Sequence, residues 1–308
     1  FLASGAFGVS FGAGFSSLSR ISGMPLSIGL IGLGRWGLNI KRTLESLGVT
    51  VIVIERNHIV PEKLDGVCIA TPSSTHVEVA LPYIERGIPT FIEKPMATSS
   101  ADVARLEEAA RTSGAPIFVG HIYLYNPAFR KIVELARTIG IVQGMSAEGA
   151  NDAPRSDSTV LWDWLPHHVA MAREILGINP SRVSVTSAAT HAIRDAAIIT
   201  YMFGSIPLVS RISWVSPEKK RMFTIVGTEG TIVFDETADH KITLVKGSDV
   251  EHPLYEAEPP LTVELRAFLN MVQTRREDRP HLVDARDIIR AIEAAEEAAA
   301  SGSVVTIA

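Results

Sequence analysis

The pattern of apolar and polar positions changes character once along this chain, near residue 120. Before that point, short apolar runs at 28–31, 49–54, 67–70, 89–92 and 115–120 alternate with segments of helical spacing at 38–47, 77–85 and 101–113. The alternation of these runs with helices predicts a doubly wound parallel sheet. Thr75 or Ser74, and Ser99 or Ser100, are placed to cap the later two helices. One crossover is short: twelve residues separate Ile54 from Val67, room for one helical turn at 60–64, so the pocket wall on that side is thin or formed by something else.

After residue 120 the rhythm differs. Helices are predicted at 127–138 and 161–176, with a strand at 140–150 between them. Runs at 182–188, 196–203, 207–215, 221–226, 231–235 and 241–245 alternate apolar with polar, and 227–230 reads as a hairpin connection. Helices at 262–274 and 283–300, the latter ended by Gly302, and a short strand at 304–307 close the chain. The expectation is α/β plus α+β: a Rossmann-type domain at 24–120, then a mostly antiparallel open sheet with helices on one face at 121–308. An open sheet face needs a cover, and a second copy in a homodimer or homotetramer is the expected one.

Composition narrows this picture little but excludes several classes. The 308 residues carry a net charge of −5 with acids and bases interspersed, which gives no electrostatic case for nucleic acid or an acidic membrane. A hydrophobic content of 46% fits a well-filled globular protein, and no apolar run reaches the roughly 18 residues that span a bilayer. The one cysteine, Cys68, lies inside an apolar run and reads as packing; the count is compatible with a cytoplasmic location. Residues 1–23 are rich in Gly, Ser and Phe and precede Met24, so they read as a leader or an arm.

The stretch with the most chemical content is Gly32-Leu33-Gly34-Arg35-Trp36-Gly37, set between the first apolar run and the first helix. Gly32 lets the chain turn off the strand, Gly34 lets backbone approach a pyrophosphate, and Gly37 lets the helix lie close. The helix N-terminus favours the negative charge. Glu55 ends the second run, where an acid accepts from a ribose diol and repels a 2′-phosphate, favouring NAD; Arg56 beside it offsets that and keeps NADP open. Such a turn also occurs in units that bind nothing, but the flanking strands and the acid favour a dinucleotide. Gly32, Gly34, Arg35, Trp36, Gly37, Glu55 and Arg56 are therefore candidate cofactor contacts.

Asp163 and His167 stand four apart on a predicted helix, hence on one face. A carboxylate beside an imidazole suits a general base, although such a pair is more often a surface contact. Lys94 ends a strand on the edge where a cofactor's reactive ring belongs, and its ammonium suits a substrate oxygen; alone, it reads equally as a solvated strand end. Trp162, Trp164 and His168 read first as packing, and His76 as a bond at a helix start. No cluster has convincing metal spacing, and no nucleophile motif is present.

Together these residues resemble the Gfo/Idh/MocA family, the glucose–fructose oxidoreductase and inositol dehydrogenase group. The marks are GLGRWG (32–37), IATPSSTH (69–76), EKP (93–95), GHIYLYNPAF (120–129), LWDWLPHHV (161–169) and the block at 213–236. The resemblance runs along nearly the whole chain from Ser27 and implies an NAD(P)-dependent oxidoreductase acting on a CH–OH group. It implies catalytic roles for Lys94, Asp163 and His167, with His167 taking the hydroxyl proton. It implies cofactor contacts at Thr71, Pro72, His76 and Glu93, and substrate contacts at His121, Asn126, Arg155 and Trp162. The NPAF segment, Arg155, WDWLPHH and SWVSPEKKR look most like members that oxidise sugars or nucleotide-linked sugars. Two features depart from the family: His168 stands where an Asp commonly follows the histidine, and a helix is missing after Glu55. The alternatives are a nucleotide-binding sensor or scaffold without activity, and transient oxidation with retained cofactor for a net hydrolysis or epimerisation.

Overall fold

The computed structural model describes residues 25–55, 63–154, 158–186 and 195–307. The expectations for residues 1–23, for Arg56 and Arg155, and for most of the turn at 60–64 lie outside the described residues.

The first half builds β1 (Ser27–Ile31), α1 (Arg35–Ser46), β2 (Thr50–Ile54), β3 (Gly66–Ile69), α2 (His76–Ile84), β4 (Thr90–Glu93), α3 (Ser100–Ser113) and β5 (Ile117–Gly120). The strands form one parallel sheet in the order β2-β1-β3-β4-β5. β3, β4 and β5 are buried at every position, so their sequences run apolar without alternation. The short crossover has a visible result: β2 is an edge strand, with Thr50 and Val53 exposed. The opposite edge is closed by a side chain. Val119 N donates to His281 Nδ1 at 3.3 Å, and the other nitrogen of that ring lies 2.9 Å from Asp278 Oδ1. Ser99 caps α3 by accepting from Asp102 N, as expected, and Gly114 ends it in the left-handed region. Thr75 precedes α2 but makes no cap; its hydroxyl donates to Pro72 O at 2.8 Å instead.

The second half contains α4 (Pro127–Leu135), β6 (Val142–Asp152), α5 (Val160–Leu176), β7 (Arg182–Thr186), β8 (Ala196–Phe203), β9 (Ile206–Ser213), β10 (Val215–Gly227), β11 (Thr231–Asp235), β12 (Ile242–Lys246), β13 (Asp249–Glu251), α6 (Pro260–Thr274), α7 (His281–Ser301) and β14 (Val305–Thr306). Nine strands form the second sheet, in the order β13-β12-β11-β10-β6-β9-β8-β7-β14. Every pairing given for it is antiparallel except β6 with β9. Phe223, Ile225, Ile232, Phe234, Ile242 and Leu244 are buried, and the residues between them are not, the alternation of a sheet covered on one face. β10 is longer than its apolar run because residues 215–220 extend it as polar strand, paired with β6 across a register shift. β13 was not predicted; all three of its residues are exposed and carry no pattern to read.

α5 lies against β6 and β9. Gly149 makes this possible, since a Cβ there would sit 2.4 Å from the Trp164 ring. The last two long helices return to the first sheet. Phe268 of α6 meets Phe91 and Phe118 edge-on at 5.6 and 5.9 Å, and α7 packs on β5, α3 and α5. Each such buried ring contributes roughly 1.5–3 kcal/mol to holding α6 against the first sheet. No helix among the described residues is long and apolar enough to cross a membrane.

Candidate active site

The glycine turn lies at the C-terminal end of β1. Gly32 has φ +97°, and a Cβ there would meet Ala70 O at 2.4 Å; one on Gly37 would meet Gly32 O at 1.8 Å. Both glycines are thus needed for the turn itself. Gly34 differs, because a Cβ on it would meet nothing within 4 Å. It is the N-cap of α1, no side chain caps that helix, and no acid stands in its first turn. Open space beside uncapped N–H groups is what a pyrophosphate requires, so these residues fit a dinucleotide. Arg35 and Trp36 are exposed at the same helix start. Glu55, exposed, follows the end of β2.

Two loops meet this turn. The Trp36 indole N–H donates to Glu93 Oε1, at the end of β4, and Lys94 N donates to Glu93 Oε2 at 3.2 Å. The His76 ring spans Thr71 O and Pro95 O, at 2.8 Å from each, and so ties the loop after β3 to the loop after β4. The Lys94–Pro95 bond between them is cis. Burial pushes the Glu93 carboxyl up to about 7, against the Trp36 bond and the Lys94 charge, which favour its ionised form.

Lys94 bridges the two halves of the molecule. Its Nζ donates to Asp163 O at 2.8 Å and to Asp163 Oδ1 at 3.0 Å. The other carboxylate oxygen accepts from Trp214 Nε1 at 2.9 Å. Pro166 stands inside α5, where it removes the N–H that would bond Trp162 O. One position on, the Asp163 carbonyl is the one offered to Lys94. This corrects the expected pairing. Asp163 and His167 share a helix face, but the carboxylate holds Lys94 and Trp214, while His167 Nδ1 is buried without a partner. His167 instead meets Tyr123 edge-to-face, with ring centroids 4.9 Å apart.

Three imidazoles around this junction are held below the ordinary imidazole value. Burial, reinforced by the Lys94 ammonium, pushes His167 well below the ordinary imidazole value, and burial beside Arg279 does the same to His121. His121 follows β5 as Lys94 follows β4, at neighbouring strand ends, and neither of its ring nitrogens has a partner. Burial lowers His168 to about 3; its Nδ1 lies 2.6 Å from Ser210 Oγ of β9, which answers what replaces the missing acid at that position.

Two expected substrate contacts have other tasks. Asn126 is buried and caps α4, accepting from Ala128 N at 2.9 Å and Phe129 N at 3.4 Å. Trp162 is buried with its indole N–H on Glu296 of α7 at 2.8 Å. Both side chains are buried and hydrogen-bonded within the protein. Conversely, Tyr123, Trp214, Arg221 and Glu236 reach this junction and were not singled out. Only Asn126 had a local signal for its true role, an Asn directly before a helix-starting proline. Among the described residues no group of three or more His, Cys, Asp or Glu side chains is placed to hold a metal ion.

Comparison with known proteins agrees with this layout. Residues 39–121 match the family model described as "Oxidoreductase family, NAD-binding Rossmann fold", and residues 138–233 match the "GFO/IDH/MocA C-terminal domain". D-xylose 1-dehydrogenase (NADP(+)) 2 of Haloferax volcanii is 24% identical over 269 residues, 80% of this chain and 81% of that protein. Myo-inositol dehydrogenase Hyg17 of Streptomyces leeuwenhoekii is 24% identical over 91% of this chain and 99% of its own length. The solved UDP-N-acetylglucosamine 3-dehydrogenase GnnA of Acidithiobacillus ferrooxidans shares the fold, with TM-score 0.80 at 21% identity over 90% of this chain and 99% of that one. The two family models together cover more than half of the sequence, each on the sheet its half builds, and the chain belongs to the Gfo/Idh/MocA oxidoreductase family.

Proposed function

We propose that the protein is an NAD(P)-dependent dehydrogenase that oxidises a secondary alcohol of a sugar or polyol, free or nucleotide-linked. The observation that carries this reading is the Lys94–Asp163 bond: it joins the edge of the cofactor sheet to the helix bearing His167. Gly32, Gly34, Gly37, Arg35 and Trp36 would hold the pyrophosphate side, Glu55 the adenosine ribose, and Thr71, Pro72, His76 and Glu93 the nicotinamide side. When bound, the nicotinamide supplies the hydride acceptor. Lys94 holds the substrate oxygen and stabilises the charge that develops as the hydroxyl loses its proton. Neutral His167 takes that proton; it is a weak base, and the ammonium beside the hydroxyl makes the transfer easier. Asp163 fixes Lys94 in place. Among the described residues His121, buried with two unpartnered ring nitrogens, is a candidate substrate contact. Glu55 favours NAD over NADP.

The exposed face of the second sheet, where Ile198 is 42% exposed, would pair with a second copy. Light scattering on wild type and Ile198→Arg checks this: a dimer or larger for the first and a smaller species for the second.

Calorimetric titration with NAD and NADP, followed by a sugar and polyol panel read by nicotinamide absorbance, tests the main reading. Micromolar binding of one cofactor and reduction by one substrate class are expected. Binding without reduction by any substrate favours the scaffold, and tightly retained cofactor without net reduction favours transient redox chemistry.

A further inference from the structure

The imidazole of His167 is not oriented by the acid four residues before it. Asp163 is bound to Lys94 and Trp214, and His167 Nδ1 has no partner. Ring contact is what remains. Tyr123 stands edge-to-face on His167 at 4.9 Å, and it also meets Phe234 of β11 nearly perpendicular at 6.2 Å. The phenol is itself tied down: its O–H donates to Glu236 Oε2 at 2.9 Å, and Arg221 Nη1 of β10 donates to the same oxygen at 3.0 Å. Lys241 Nζ donates to Glu236 O at 2.7 Å, and Glu236 N donates to Arg221 O at 3.0 Å, so the acid is fixed through its backbone as well. Tyr123 is buried, and the turn bearing it, Ile122–Tyr125, follows directly from β5 of the first sheet.

We propose that Tyr123 is the positioning residue of His167, and that Glu236 and Arg221 of the second sheet hold Tyr123 for this task. The first sheet supplies the ring and the second supplies its anchor. An imidazole without a hydrogen bond at Nδ1 has only packing to choose its rotamer, so a clamped ring against it is what keeps Nε2 aimed at substrate. A misplacement of about 1 Å in such a group can reduce turnover about 100-fold.

This proposal rests on His167 being the base, and the test separates the two. Tyr123→Leu removes ring and hydroxyl; Tyr123→Phe keeps the ring and breaks the Glu236 link. The His167 ring-proton resonances in holoenzyme, assigned by comparison with His167→Gln, report the ring contact whatever the activity. Tyr123→Leu should shift them strongly. It should also lower kcat by about 10- to 100-fold, with cofactor affinity unchanged and KM moved far less than kcat. Tyr123→Phe and Glu236→Gln should fall between it and wild type, with Phe restoring most of the resonance position. Unchanged His167 resonances in Tyr123→Leu overturn the proposal. So does a normal kcat in Tyr123→Leu when His167→Gln has lost turnover. Full turnover in His167→Gln instead overturns the assignment of the base, and with it the role of any residue said to position that base.

Discussion

The two sheets of this protein do different work with different parts of the chain. The parallel sheet presents backbone: its glycine turn leaves N–H groups and open space, and a Cβ at Gly32 or Gly37 has nowhere to go. The antiparallel sheet and α5 present side chains: Asp163, His167, Trp214, Arg221 and Glu236, each held by partners far away in sequence. A backbone device is built from neighbours along the chain. A side-chain device is built from residues that only the tertiary fold brings together. Two side chains of the first half cross this division, Tyr123 toward Glu236 and, as the exception joined to α5, Lys94 on Asp163.

The strongest test of this division is that exception. Lys94→Ala should lower kcat by about 100- to 1,000-fold while leaving NAD affinity within a few-fold of wild type, because the ammonium serves the substrate oxygen. Loss of cofactor binding with turnover per bound cofactor intact would move Lys94 into the backbone half and break the comparison.

The glycines sharpen it. Gly37→Ala should destabilise the protein by about 1–3 kcal/mol or more in denaturant melts, since its Cβ would overlap Gly32 O. Gly34→Ala should melt like wild type, its Cβ meeting nothing and its φ of −65° suiting alanine, yet weaken NAD binding about tenfold by intruding on the pyrophosphate. Unchanged NAD binding in Gly34→Ala would mean that the open space at Gly34 is not a ligand site.

On the side-chain half, Ser210→Ala leaves His168 Nδ1 buried without its partner and should cost about 1–3 kcal/mol of stability, with cofactor affinity unchanged. A second effect at the same histidine is in pH. The unfolded His168 binds a proton near pH 6.5, whereas the folded one binds it near 3. Between those values the unfolded state holds more protons, so this residue makes stability rise with pH by up to about 1.4 kcal/mol per unit, and adds nothing above the window. His168→Leu should flatten the wild-type slope by about one proton in urea melts between about pH 4 and pH 6. An identical slope would mean that the His168 site does not resist charging.

What could be read from the sequence follows the same division. The turn at 32–37, the strands around it and the acid at 55 are contiguous, and the fold realises them as read. The four-residue spacing of Asp163 and His167 placed them on one helix face, but spacing within a helix does not say which partner crosses to it. Lys94 is sixty-nine residues from Asp163 and Trp214 fifty-one, and these distant groups outcompete the local one. Asn126 differs in kind: its position before Pro127 is a local signal, and it points to the helix cap that Oδ1 makes. Tyr123, Arg221 and Glu236 carry no local signal, because each matters only through the others.

The most direct test of the central claim compares wild type with His167→Ala, each shown by calorimetry to be saturated with cofactor, in nicotinamide reduction across a panel of sugars and polyols. The account predicts reduction by at least one substrate with wild type, and cofactor binding of unchanged affinity with no measurable reduction in the variant. Reduction at the wild-type rate by His167→Ala would contradict it.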